Sequence, residues 1–226
     1  MGFIPSSFTR NSHHPYRSSS LSLSMKLNPV TGGSVVAIVT PMTSNNEIDY
    51  AKFIELLQWH VQEGTDGAVI LGTTGEGSMI TLSERSEIIK TAVRVVNKAF
   101  PIIVGAGTIE PSKVIELSQN ALDNGADATL LITPYYVKPP QRALVQHYKY
   151  IADNVPIPMI LYNCPGRTGV DMKPETIAQL ASHPYIIGVK DATGDLDRVK
   201  KIRTLCGEKF LIFRYNYDYD ILHLYI

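Results

Sequence analysis

The chain has 226 residues, 21 Lys+Arg against 21 Asp+Glu, 44% hydrophobic residues and a mean hydropathy near zero. That length allows one large core or two small ones, and the charge balance argues against a general nucleic-acid binder. No uncharged apolar run reaches the roughly 18 residues of a membrane-spanning helix, and the two cysteines, Cys164 and Cys206, are too few for a disulfide scaffold or a cysteine-pair zinc site.

Residues 1–30 hold eight serines, Arg10, Arg17 and Lys26, and the first acidic residue of the chain is Glu47. Acid-poor, Ser-rich and Arg-containing sequence suits an organellar transit peptide. An over-extended start is the other reading, since Met25 stands just ahead of the first orderly segment. Either way the stretch has too little apolar content to fold alone.

From Val35 onward, short β-branched runs alternate with amphipathic stretches. Strands are predicted at 35–41, 67–72, 102–107, 128–134, 159–163, 186–190 and 210–213, several of them apolar on both faces as strands under helices must be. Tyr50, Phe53, Ile54, Leu57 and Val61 mark one face of the first helix. Thr81 and Glu84 have capping-box spacing for the second, while Pro111 suits a first turn and Asn124-Gly125 a stop for the third. Repeating βα units build an open doubly wound sheet or a closed (β/α)8 TIM barrel. Thr40-Pro41-Met42 after the first strand is no dinucleotide fingerprint, and the unusual polar residues gather at the C-terminal ends of strands, where a barrel keeps its chemistry. The barrel is therefore expected, over residues 31–213, with 214–226 an atypical tail whose Arg214-Tyr215-Asn216-Tyr217 run alternates aromatic and polar residues.

Lys190 ends the run Ile186-Ile187-Gly188-Val189. A lysine projecting from a buried strand loses affinity for its proton, and a neutral amine is the nucleophile of Schiff-base chemistry. Snorkelling, or pairing with Asp191, is the competing reading. Tyr162 ends the preceding strand, where a phenol can move protons or simply fill the core. Arg167, in Pro165-Gly166-Arg167-Thr168-Gly169, can clamp a carboxylate or lie idle on a loop. Gly72-Thr73-Thr74-Gly75-Glu76-Gly77 lacks the ending of a phosphate loop, and its hydroxyls and backbone N–H groups suit a small carboxylate. The six histidines are scattered without metal-ligand spacing, so no metal site is expected.

Taken together, Gly72-Thr73-Thr74-Gly75-Glu76, Tyr162-Asn163-Cys164-Pro165-Gly166-Arg167-Thr168-Gly169 and Gly188-Val189-Lys190-Asp191 resemble the dihydrodipicolinate synthase family of class I, Schiff-base (β/α)8 lyases. Gly33-Ser34-Val35-Val36-Ala37-Ile38-Val39-Thr40-Pro41-Met42 is similar as well. The resemblance implies condensation of pyruvate with L-aspartate 4-semialdehyde on the route to diaminopimelate and lysine. Lys190 would carry the covalent pyruvate imine, with no other cofactor. Tyr162, Thr73 and Tyr136 would relay protons, Tyr136 reaching in from a neighbouring subunit of a homo-oligomer, dimer or tetramer. Thr74 would lie at the pyruvate carboxylate and Arg167 at that of the semialdehyde. The core resembles bacterial-type members more than the plant plastid type, which favours the cytoplasm, with an organelle as the alternative if residues 1–30 are a transit peptide.

Sister families, the 2-keto-3-deoxy sugar acid aldolases and the N-acetylneuraminate lyases, share the lysine and the tyrosine. Thr73-Thr74 and Arg167 favour the synthase over the latter. Family members are longer, so about six and a half βα units are expected here, without the eighth strand and the C-terminal helices. That sets a truncated, non-catalytic remnant beside the enzyme reading.

Overall fold

The structure, a computed structural model, describes residues 29–214. The transit-like reading of the N-terminus and the atypical tail past Arg214 lie outside the described residues.

Seven strands alternate with helices: β1 (Val35–Ala37), β2 (Gly67–Ile70), β3 (Ile102–Gly105), β4 (Ala128–Ile132), β5 (Met159–Asn163), β6 (Ile186–Asp191) and β7 (Leu211–Arg214). Among the described residues they form one parallel sheet in the order β1-β2-β3-β4-β5-β6-β7, the curled arrangement of a partial TIM barrel. The helices are α1 (Tyr50–Gln62), α2 (Leu82–Val96), α3 (Pro111–Asp123), α4 (Gln141–Asn154), α5 (Pro165–Thr168), α6 (Pro174–Leu180) and α7 (Leu196–Cys206).

Local signals explain the boundaries. The α2 capping box forms, with the Glu84 amide donating to Thr81 Oγ1 at 3.4 Å and the Thr81 amide to Glu84 Oε2 at 2.9 Å. Pro111 opens α3, Asn124 caps it, and Gly125 follows at φ +87°. Expected strands end early where the backbone leaves the ladder. β2 stops at Ile70 because Leu71 takes a left-handed conformation (φ +55°). β1 stops at Ala37, although the Ile38 amide still donates to Val69 O at 3.1 Å.

Alternation along the strands sends side chains to two different cores. Ile70, Val104, Leu131, Leu161 and Val189 pack outward under the helices with Phe53, Ile88, Leu144 and Ile177. Val69, Ile103, Leu130, Ile160 and Tyr162 form a smaller inner cluster on the concave face, where Phe213 and Ile132 join them. At β6 the inner face needs a residue without a side chain: a Cβ on Gly188 would lie 2.6 Å from Leu211 O and 2.7 Å from Leu211 Cβ. Gly188→Ala is therefore expected to force β6 from β7 and destabilise the fold by about 1–3 kcal/mol, read as a lowered urea midpoint.

Candidate active site

β5 and β6 pair in register, Tyr162 opposite Lys190 and Asn163 opposite Asp191. Both members of the first pair belong to the concave face, and Lys190 Nζ lies 4.8 Å from the centroid of the Tyr162 ring. Burial holds the Lys190 amine below the ordinary lysine value, while the charge of Cys164 works in the opposite sense. Burial raises the Tyr162 phenol, and the neighbouring Cys164 thiol adds to the rise; the Arg167 charge and the Thr73 hydroxyl pull it back. Lys190 thus lies against the Tyr162 ring, and Thr73 and Arg167 are within hydrogen-bonding or electrostatic reach of its phenol.

The turn after β2 carries the two hydroxyls. Leu71 and Glu76 both adopt positive φ, and the Gly77 amide donates to Gly72 O at 3.2 Å. The hydroxyl of Thr40, beyond β1, donates to Gly75 O at 2.7 Å. Thr73 and Thr74 are exposed at the rim of the concave face. Arg167 sits on α5, a single helical turn rather than an open loop, and is also exposed. Thr168 fastens that turn: its hydroxyl donates to Cys164 O at 3.1 Å and accepts from the Val170 amide at 3.2 Å.

Tyr136 stands apart. It lies past β4 at φ +65° with 86% of its surface exposed, incompatible with packing against the Lys190–Tyr162 pair of its own chain. Its neighbour Tyr135 is half-buried and shares a 3.3 Å hydrogen bond with the Thr108 hydroxyl.

Sequence reading missed two features of the site. Cys164 belongs to the inner cluster beside Tyr162, a position that its i+2 spacing on the same strand face signals. The second is a buried polar network behind the pair. Asn163 Nδ2 donates to Asp191 Oδ2 at 3.2 Å and to Asp171 Oδ1 at 3.1 Å, and Asn163 Oδ1 accepts from the Met172 amide at 2.9 Å. Arg198 on α7 donates from Nε to Asp191 Oδ2 at 2.9 Å, and pairs with Asp171 and Met172 O. The Asp191 carboxylate also accepts from the Thr193 amide at 3.0 Å. That anion is engaged on the helix side of the sheet, which weighs against its serving as the partner of Lys190. A cleft of about 470 Å3, lined by Pro165, Gly166, Asp171, Thr193 and Arg198, opens beside these strand ends. Among the described residues, no group of three His, Cys, Asp or Glu is placed to hold a metal, and no helix is long and apolar enough to cross a membrane.

A parallel βα sheet with a partly desolvated lysine beside a tyrosine at its C-terminal end has the layout that Schiff-base chemistry on a barrel needs. The chain belongs to the dihydrodipicolinate synthetase family, whose family model matches residues 30–224. It is 51% identical over 177 residues to the 4-hydroxy-tetrahydrodipicolinate synthase of Geobacter metallireducens, covering 78% of this chain and 61% of that protein. Against the enzyme of the same name from Coxiella burnetii, identity is 52% over 171 residues, 76% of this chain and 59% of that one. The structure superposes with a TM-score of 0.79 on the chloride-inhibited dihydrodipicolinate synthase of Acinetobacter baumannii complexed with pyruvate, at 48% identity, covering 80% of this chain and 62% of that chain. The chain therefore spans about three fifths of the length of these relatives.

Removing one partner of a buried ion pair leaves an uncompensated charge. Arg198→Met is expected to lower unfolding free energy by about 3–5 kcal/mol in urea titrations, since Asp191 is buried beneath it. Burial raises the Asp171 carboxyl, but Asn163, Lys173 and Arg198 outweigh it and hold it below the ordinary carboxylate value. Its contribution is present above that value and lost as pH falls through the depressed one, so Arg198→Met should also unfold at higher pH than wild type during acid titration.

Proposed function

We propose that this chain condenses pyruvate with L-aspartate 4-semialdehyde through an imine on Lys190, giving 4-hydroxy-tetrahydrodipicolinate. The placement of Lys190 carries the reading: in register with Tyr162, its amine is biased toward the neutral nucleophile by burial. In the reaction that amine attacks C2 of pyruvate, water leaves, and the imine results. Loss of a proton from the pyruvate methyl gives an enamine, whose carbon adds to the aldehyde carbon of the semialdehyde. The semialdehyde's own amine then displaces the Lys190 nitrogen at C2, closing the ring and freeing the lysine. Each step moves a proton. Tyr162, with its phenol held protonated by burial and linked to Thr73, is the group beside the amine that can take part. Thr74 and the exposed N–H groups of its turn suit the pyruvate carboxylate, and Arg167 that of the semialdehyde. Family membership and half identity to synthases of this name support the substrate pair. The same bacterial relatives support a cytoplasmic setting.

Borohydride reduction in the presence of pyruvate tests the imine. A reduced adduct mapped to Lys190 by mass spectrometry is expected in wild type and none in Lys190→Ala; folded wild type without adduct would assign the chain to the non-catalytic class. The neutral amine gains population as pH rises, and its lowered pKa moves that rise below the usual lysine range of about 10.4. The initial trapping rate should accordingly climb with its midpoint below that pH. Trapping that follows an unperturbed lysine would contradict a desolvated amine. Omitting L-aspartate 4-semialdehyde in favour of sugar aldehydes separates this synthase from the sugar acid aldolases.

Tyr136 joins the relay only from a second copy, which fits its exposure in its own chain. Mixing Tyr136→Phe with Lys190→Ala protein then creates one site in each hybrid dimer with both groups intact. Condensation activity is expected to exceed that of either variant alone; a mixture no better than the sum of its parts would exclude sharing of the site between copies.

A further inference from the structure

We propose that Arg85 is a positioning residue, fixing the hydroxyl-bearing turn after β2 against the end of β3. Arg85 lies in the first turn of α2 and is 3% exposed. Its Nη1 donates to Gly77 O at 2.9 Å and its Nη2 donates to Gly105 O. Among the described residues no carboxylate lies within ion-pair distance of it, and its Nε has no partner. Burial alone pushes the guanidinium down to about 10. A buried cation satisfied by two carbonyls is a costly way to fill a helix position that faces the core. What it supplies is geometry, because a planar fork can bind two acceptors at once in a set direction.

Both acceptors matter to the site. Gly77 closes the turn that holds Thr73 and Thr74, and Gly105 ends β3, the strand beside β2. The turn is strained, with Leu71 at φ +55° and Glu76 at φ +52°, and such backbone persists only where its surroundings over-determine it. There is no spare room either: a Cβ on Gly77 would fall 2.0 Å from Leu71 O. β2 is flanked by β1 and β3, and each side sends one restraint to the turn. Thr40 beyond β1 holds Gly75 O, and Arg85 ties Gly77 O to the end of β3. The hydroxyl of Thr73 is thereby kept at the Tyr162 phenol and Thr74 beside it at the rim.

The consequence for pyruvate rests on the function proposed above, whereas the clamp itself does not, so two readouts are needed on the full chain. Amide exchange by mass spectrometry is compared between peptides covering 71–80 and 186–191 in wild type, Arg85→Lys and Arg85→Gln. The pyruvate concentration that half-saturates borohydride trapping is measured on the same proteins. Losing one charged hydrogen bond is expected to speed exchange in 71–80 and raise the half-saturating pyruvate, each by about tenfold or more, with exchange in 186–191 and the trapping plateau at Lys190 unchanged. Unchanged exchange in 71–80, or an equal rise in both peptides, overturns the proposal. So does failure of both variants to fold, which would make Arg85 a support of the whole domain. If wild type itself traps no pyruvate, the proposed function fails while exchange still decides the clamp.

Discussion

Arg198 holds together the part of the molecule on which the rest of the site depends. Its guanidinium joins Asp191 at the end of β6 to Asp171 and the Met172 carbonyl beyond β5, and Asn163 closes the same circuit from β5. Residues one step earlier on each strand face the other way, so a tie between Asn163 and Asp191 on the helix side sets Tyr162 opposite Lys190 on the concave side. A slip of one residue would send the lysine under the helices and an aspartate into the inner cluster. The parallel register already carries an irregularity between Met159 and Ile160, and the polar circuit lies beyond it, where register must be recovered.

Two opposing effects set the chemistry of the concave face. Desolvation lowers the Lys190 amine and raises the Tyr162 phenol, so both neutral forms are favoured side by side. The cation–π contact between them acts against this by favouring the charged ammonium, and is worth only about 0.5–2 kcal/mol. Desolvation is the first cause of the amine's downward shift and outweighs the opposing charge of Cys164. The Arg167 charge works on the phenol from the solvent side, favouring its anion. A proton on Tyr162 is thus held by burial and loosened by a cation at the rim, as the proton transfers of the proposed reaction require.

Much of this was legible in sequence because it is local. All seven strands, the Thr81–Glu84 capping box and the Pro111 helix start follow from period and short-range chemistry, and the Tyr162 and Lys190 positions follow from strand ends. The polar circuit was not legible. Asn163 and Asp191 are 28 residues apart, and Arg198 and Asp171 27 apart, so their partnership exists only once parallel strands align them. Arg85 reads from its own surroundings as a charged residue on a helix; its burial follows from where the turn at Gly77 crosses α2. Strand ends were overestimated for a similar reason. Nothing local in Leu71 forecasts a left-handed backbone, which the close approach of Gly77 to its carbonyl accompanies.

The concave face is not equally dry along its width. Val69, Leu130 and Ile160, on strands with neighbours on both sides, are buried, while Val35 and Ala37 on β1 and Phe213 on β7 are only half-buried. Among the described residues β1 pairs only with β2 and β7 only with β6. Lys190 stands between these regimes, with Tyr162 on β5 as one cross-strand partner and Phe213 on β7 as the other. Both of its flanking strands are in place, which is why its amine is desolvated although, among the described residues, β1 and β7 are each paired on one side only. Reactivity at the lysine is therefore a property of three adjacent strands, whereas enclosure of a substrate is a property of the full circumference. The two separate physically: in the proposed reaction, imine formation asks for the first, and selection of the aldehyde that follows asks for the second.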